Sequence, residues 1–321
     1  MTDIAIPEDV FDVIIIGSGP GGLTAGLYTS RAGMKTLLLE GTVTVSQITI
    51  TDVVENYPGL PEITGPELIL KLKDHAGSFG MEMKREQVVA VEAEAMGDSA
   101  GWKVTTDGNT YRTLAVIVST GAVWRKLGIP GELEFAGRGV SYCATCDGPF
   151  YRNSDVIVVG GGDTAVQEAL FLTKFASKVT IVHRRDRLRA TAILQERAFA
   201  HDKITFAWES VVEEILGDTG VTGARIRGVK EPKEARDIAA DGVFIFIGLD
   251  PVSDIVKDLV KIDPYGYIMT GRDMATSAPG IYACGDCIQK PFRQIINACG
   301  EGATAAYHVE LYVDELKGQS Y

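Results

Sequence analysis

The chain has 321 residues, 45% of them hydrophobic, and a formal net charge of −12. This is length and apolar content enough for two domains with sizeable cores, while the acidic balance excludes a general nucleic-acid role, which depends on a cationic surface. No apolar run reaches the length of a membrane span, Met1 to Asp9 is too short and too acidic for a secretion signal, and five cysteines without a spaced framework suit a reducing cytoplasm.

Asp12-Val13-Ile14-Ile15-Ile16 reads as a buried parallel strand, and Gly17-Ser18-Gly19-Pro20-Gly21-Gly22 as the turn into a helix that stops near Gly33. In such a turn Gly17 permits the tight bend, Gly19 lets backbone approach a pyrophosphate, and Gly22 lets helix pack on strand. The next strand ends at Glu40, a carboxylate placed to accept from the ribose hydroxyls of an unphosphorylated adenosine, as in FAD or NAD. Residues 97–111 predict a β-hairpin turning at Asp107-Gly108-Asn109. Leu114 to Ala122 is an apolar strand ending in small residues, and Trp124 to Gly131 reads as a connector.

Cys143-Ala144-Thr145-Cys146 then stands 14 positions ahead of a second turn, Gly160-Gly161-Gly162-Asp163-Thr164-Ala165, which follows the strand Val156-Ile157-Val158-Val159. A Cys-x-x-Cys brings two sulfurs close enough to cycle between dithiol and disulfide, and a local positive field lowers one thiol's pKa until it attacks at neutral pH. Half of a zinc site is the competing reading, but no second pair with accompanying His lies at finger or ribbon spacing, and no metal is expected. The second turn repeats the first, with Gly160, Gly162 and Ala165 in the three glycine roles. Glu40 lies 23 positions beyond Gly17, and His183 lies 23 beyond Gly160. There His183-Arg184-Arg185 through Arg189 forms a cationic cluster suited to a 2′-phosphate, hence NADPH; a solvated basic patch is the alternative. Residues 217–229 predict another hairpin at Asp218-Thr219-Gly220, Gly242 to Gly248 a buried strand, and Leu249-Asp250-Pro251 the return crossing.

These residues together resemble the low-molecular-weight thioredoxin reductases: Cys143-Ala144-Thr145-Cys146-Asp147, the Gly160 turn, His183-Arg184-Arg185 through Arg189, and Gly285-Asp286 with Arg293-Gln294. The resemblance runs from Phe11 to about Tyr312. It implies an α/β fold of two Rossmann-like dinucleotide-binding domains, the second inserted into the first. Residues 1–122 and 249–321 would form a discontinuous FAD-binding domain, and residues 123–248 an NADPH-binding domain carrying the cysteine pair. The implied enzyme is a homodimeric, cytoplasmic flavoprotein with FAD and NADPH as cofactors and thioredoxin as partner. By the same resemblance Cys146 is flavin-proximal and Cys143 the interchange nucleophile, Gly285 and Asp286 meet the ribityl chain, and Gln47, Asn56, Arg293 and Gln294 surround the flavin. Asp147 is the candidate general acid and base, with a plain turn residue before Gly148-Pro149 as the alternative.

One departure is sharp. The family usually has two glycines before the glutamine matching Gln47, whereas this chain has Val45-Ser46, whose side chains disfavour positive φ; the segment is expected within contact of the flavin or Gln47, with consequences for flavin potential and electron donor. Cys284, Cys287 and Cys299 are expected to pack as small hydrophobes, although Cys284-Gly285-Asp286-Cys287 repeats the redox spacing. Nicotinamide and disulfide both belong to the inserted domain yet need the same flavin edge at about 3 to 3.5 Å, so that domain is expected to rotate about the two connectors. Ferredoxin-type NADP reductases, peroxide-reducing flavoproteins and a redox sensor without turnover are the other functions this scaffold allows.

Overall fold

The computed structural model describes residues 7, 9–42, 46–51, 54–96, 99–231 and 234–319. The chain opens with β1 (Phe11–Ile16), α1 (Pro20–Arg31), β2 (Thr36–Glu40), α2 (Gly65–Gly77), β3 (Glu82–Arg85), β4 (Val88–Met96), β5 (Ser99–Thr106), β6 (Thr110–Val118) and β7 (Ala122–Trp124). There follow β8 (Val140–Ser141), α3 (Ala144–Asp147), β9 (Asp155–Gly160), α4 (Asp163–Leu172), β10 (Lys178–Val182), α5 (Ala192–Phe199), β11 (Ile204–Ala207), β12 (Ser210–Gly217), β13 (Val221–Gly228), β14 (Ala235–Ala239) and β15 (Gly242–Phe246). The chain ends with β16 (Leu249–Pro251), β17 (Ile281–Ala283) and α6 (Ile295–Lys317). It divides into two compact units, Met1–Val123 with Asp250–Tyr321, and Trp124–Leu249.

The first unit is built on a sheet of order β3-β2-β1-β6-β5-β4. β1, β2 and β3 are parallel, as are β1 and β6, so β1 has a sequence neighbour on one side only. β6 is shared along its length: residues 110–113 pair antiparallel with β5, and Val116 to Val118 pair parallel with β17. The β5–β6 hairpin turns at the expected Asp107-Gly108-Asn109. Both faces of β1 are covered, Val13 and Ile15 packing into one apolar cluster and Phe11, Ile14 and Ile16 into another, which explains why this parallel strand reads as a continuous apolar run. α1 and α6 approach closely enough that a Cβ on Gly302 would lie 2.1 Å from the Gly21 carbonyl oxygen.

The second unit repeats the scheme with a parallel sheet of order β11-β10-β9-β15-β8. Val156 and Val158 face one cluster, Ile157 and Val159 the other. The antiparallel β12-β13-β14 is appended, with its first hairpin turning at Asp218-Thr219-Gly220. In the parallel part of the first sheet and in the second sheet the strand order reverses beside the first strand, at β1/β6 and β9/β15, and the crevice outside the carboxyl ends of such strands is where this architecture binds dinucleotides.

Candidate active site

In the first unit, Gly17 leaves β1 at φ +112°, and a Cβ there would fall 2.2 Å from the Ser119 carbonyl oxygen; one on Gly22 would fall 2.0 Å from the Gly17 oxygen. Gly19 differs: its nearest neighbour is Ser46 Oγ at 3.9 Å. Two glycines therefore serve the packing of turn on strand, and the middle one leaves backbone open beside the start of α1, where an anion's charge is favoured. At the end of β2, Glu40 receives hydrogen bonds from Lys73 Nζ at 2.8 and 2.9 Å. Lys73 lies on α2 and is part of the site although nothing in its local sequence marks it.

The remaining residues expected near a flavin are brought together from distant parts of this unit. Gln47 Nε2 donates to the Ala122 carbonyl at 2.9 Å, and Asn56 Nδ2 donates to Gln294 Oε1 at 3.0 Å. Gly285, at φ +78°, follows β17 and donates its N–H to Glu301 at 2.9 Å. The same Glu301 oxygen receives Lys290 Nζ at 2.8 Å, and Lys290 is itself buried. Asp286 Oδ1 lies 3.3 Å from Lys290 Nζ yet has no hydrogen-bond partner, and Arg293 Nε, its guanidinium stacked 4.2 Å from the Tyr267 ring centroid, is also buried without one. A buried acceptor held only by an ion pair to Lys290, and a buried donor with no hydrogen-bond partner among the described residues, fit a polar group such as the ribityl chain and ring edge of a flavin.

Val45 lies outside the described residues. Ser46 has φ −62° and ψ 131°, extended backbone that any residue adopts, so the argument from positive φ does not apply to it. Its proximity to Gly19 does place it at the glycine turn.

In the second unit, β8 leads into the Cys143–Cys146 turn running parallel to β15 and β9, the strands between which this sheet reverses its order. Cys143 and Cys146 are disulfide-bonded, with Cα atoms 5.4 Å apart. Cys143 caps α3, and the Cys146 N–H points at its sulfur at 3.1 Å. That donor would stabilise a thiolate on Cys143 once the bond is reduced. Cys146 is exposed, Cys143 and Asp147 half-buried.

Gly160 leaves β9 at φ +146°, and its Cβ would strike Phe246 O at 2.3 Å and Ala165 Cβ at 2.7 Å; Gly162 has nothing within 4 Å. Arg184, Arg185 and Arg189 are exposed just beyond β10. His183 departs from the cationic cluster in which its sequence position puts it. It is buried, its ring lies under Gly161, and its Nε2 has no partner. Burial and then the charges of Arg189, Arg185 and Arg184 hold its pKa below the ordinary value of 6.5, so at neutral pH it is an uncharged packing group.

Glu132 escaped the sequence reading altogether. It is 1% exposed, and its carboxylate accepts from Leu127 N at 2.8 Å, Gly128 N at 2.6 Å and the Tyr142 hydroxyl at 2.6 Å. It thereby ties the connector to the residue that precedes Cys143. Burial, then Glu132, raise the Tyr142 phenol well above its usual range. The other cysteines are free and buried. Burial pushes the thiols of Cys284 and Cys287 upward, which makes them poor nucleophiles and supports packing over a second redox pair. Cys299 sits 3.8 Å from the Tyr57 hydroxyl. No helix among the described residues is long and apolar enough to cross a membrane.

Comparison with known proteins agrees with this geometry. Residues 11–302 match the model of the pyridine nucleotide-disulphide oxidoreductase family. The thioredoxin reductase of Listeria monocytogenes is 48% identical over 316 residues, covering 98% of this chain and 97% of its own. Among solved structures, thioredoxin reductase of Lactococcus lactis superposes with a TM-score of 0.91 at 48% identity, over 95% of this chain and 99% of its own. That of T. acidophilum gives 0.89 at 33% identity, over 96% and 100%.

Removing the Glu132 carboxylate leaves two amides and a phenol without an acceptor in a buried site. Glu132→Ala is therefore expected to cost about 2 to 4 kcal/mol in urea unfolding, and Tyr142→Phe, which removes one donor and leaves the amides held, about 1.5 kcal/mol. Equal costs would contradict the role given to the connector amides.

Proposed function

The chain belongs to the pyridine nucleotide-disulphide oxidoreductase family, and within it to the low-molecular-weight thioredoxin reductases, and we propose that it carries electrons from NADPH through FAD and the Cys143–Cys146 pair to the disulfide of a thioredoxin. The observation that carries this reading is the cysteine disulfide set in the same parallel sheet as the Gly160 turn. A disulfide and a nucleotide site that share one small unit serve one electron path.

FAD, when bound, supplies two-electron exchange between a hydride donor and a disulfide. Gly17, Gly19 and Gly22 with the first amides of α1 would hold its pyrophosphate, and Glu40, steadied by Lys73, its ribose. Gly285 and Asp286 would meet the ribityl chain, and Gln47, Asn56, Arg293 and Gln294 the ring system. Gly160, Gly162 and Ala165 would receive NADPH, with Arg184, Arg185 and Arg189 on the 2′-phosphate and His183 supporting the turn from beneath. In this reading 1–122 with 249–321 is the FAD-binding domain and 123–248 the NADPH-binding domain.

In the thiol half-reaction the reduced Cys143 sulfur attacks one sulfur of the thioredoxin disulfide, forming a mixed disulfide and releasing a thiolate on the partner. Cys146 then attacks Cys143, closes the Cys143–Cys146 bond and releases the second partner thiolate. Two electrons leave the enzyme as the pair oxidises, and Asp147 would donate the proton that a leaving thiolate takes up. Because the disulfide and the nicotinamide site belong to one unit and need one flavin edge, the connectors at residues 124–131 and 248–251 would act as hinges.

A homodimer is supported by apolar side chains left outside on the first unit, Tyr28 on α1 and Ile296, Tyr307 and Leu311 on α6; light scattering should return twice the chain mass of 34.5 kDa, and a monomer would refute it. The unpaired Cys284, Cys287 and Cys299 support a cytoplasmic location.

Cys143→Ser and Cys146→Ser are each expected to abolish thioredoxin reduction while the protein still binds FAD and accepts electrons from NADPH, as followed by stopped-flow absorbance. Substantial thioredoxin turnover in either variant would remove the pair from the path.

A further inference from the structure

The coenzyme turn of the second unit contains a charge that its ligand would not choose. Asp163 is the first residue of α4, where a dinucleotide's pyrophosphate meets the helix N-terminus, and a free carboxylate there would repel it. Its side chain is engaged elsewhere. Asp163 Oδ1 accepts a hydrogen bond from the Thr191 backbone N–H at 2.6 Å, across a separation of 28 residues.

This bond is one of three ties between the glycine turn and the arginine-bearing segment. At the segment's start the His183 ring lies directly under Gly161, where a Cβ would come within 2.5 Å of it. In its middle Arg189 N donates to the Gly161 carbonyl at 2.7 Å. At its end stands the Asp163–Thr191 bond. The stretch between β10 and α5 has no helix or strand of its own, and His183, Leu188 and Ala190 are its buried side chains. Its shape is therefore set by contacts from outside: the three ties to the turn, and on the other side Glu209 N donating to the Arg185 carbonyl at 3.1 Å and Ser210 N to the His183 carbonyl at 3.0 Å. Arg184, Arg185 and Arg189 are exposed on it.

We propose that Asp163 is a positioning residue for coenzyme choice: by holding Thr191 it fixes the arginine segment against the glycine turn so that the guanidinium groups meet a 2′-phosphate, while the same bond draws its own charge away from the pyrophosphate. This rests on the reading of the segment as an NADPH site. A purely local role, a carboxylate favoured by the helix dipole, would stabilise α4 without affecting discrimination between phosphorylated and unphosphorylated adenosines.

The test measures binding of 2′,5′-ADP and 5′-AMP to the purified holoenzyme by calorimetry, since their affinity ratio isolates the 2′-phosphate. Asp163→Ala should lower that ratio about tenfold, the worth of one hydrogen bond to a charged acceptor, with 5′-AMP bound as well as before or better. Asp163→Asn, which keeps the acceptor, should restore most of the ratio. Thr191→Pro attacks the bond from the other side: Thr191 sits at φ −59°, which proline adopts unstrained, so the donor is lost while the carboxylate stays. Both ligands should then weaken, 2′,5′-ADP by the larger factor, because the released charge faces the phosphates. Hydrogen exchange at the Thr191 amide should be slow in wild type and Asp163→Asn and fast in Asp163→Ala. An unchanged ratio in Asp163→Ala, or an equal loss of both ligands there, overturns the proposal. A wild type that does not discriminate, with the Thr191 amide still protected through Asp163, overturns the NADPH reading on which the proposal rests.

Discussion

Backbone brought into contact with backbone at the two glycine turns is the constraint on which the rest of the structure depends. At Gly17 and Gly22, and again at Gly160, a side-chain carbon would lie within 2.3 Å of a main-chain oxygen, so the strands can run straight into their helices only where the side chain is absent. The turns fall where each sheet reverses its strand order. Gly285-Asp286 arrives beside the first turn because β17 pairs with β6. The redox turn follows β8 because β8 extends the sheet that carries the second.

Carboxylates do much of the remaining positioning, and they do so through backbone N–H groups. Glu132 holds Leu127 and Gly128, Glu301 holds Gly285, and Asp163 holds Thr191. An ionised carboxylate is an acceptor only, with room for several donors, so one side chain can brace an irregular segment that has no ladder of its own. The arginines beyond β10 are of the opposite kind: exposed, free to meet a ligand, and dependent on such braces for their position. Lys290 belongs with the braces, since its burial between Asp286 and Glu301 fixes the segment after β17 rather than presenting a charge to solvent.

What the sequence makes legible is what chain-local spacing controls. The glycine turns, the Cys-x-x-Cys and the two hairpin turns are each written in a few consecutive residues, and the structure carries them there. What it hides depends on partners far along the chain. Glu132 reads as one more polar residue of a connector until Tyr142 and the connector amides close on it. Lys73 gives no sign of reaching Glu40, 33 residues away. His183 reads as part of a cationic cluster because its neighbours are arginines, but burial of its ring under Gly161 and the charges of those same arginines both disfavour its protonation. Ser46 stands where the resembling family usually has glycine, but its extended backbone needs none.

A single electron path from a phosphorylated pyridine nucleotide to Cys143 and Cys146 is tested most directly by anaerobic titration of the purified protein, with flavin absorbance and alkylation of the two thiols followed in the same samples by spectroscopy and mass spectrometry. NADPH is expected to bleach the flavin band and render both Cys143 and Cys146 alkylatable, while NADH at the same concentration does neither to a comparable extent. Flavin reduction that leaves the disulfide closed, or equal reduction by NADH, would contradict it.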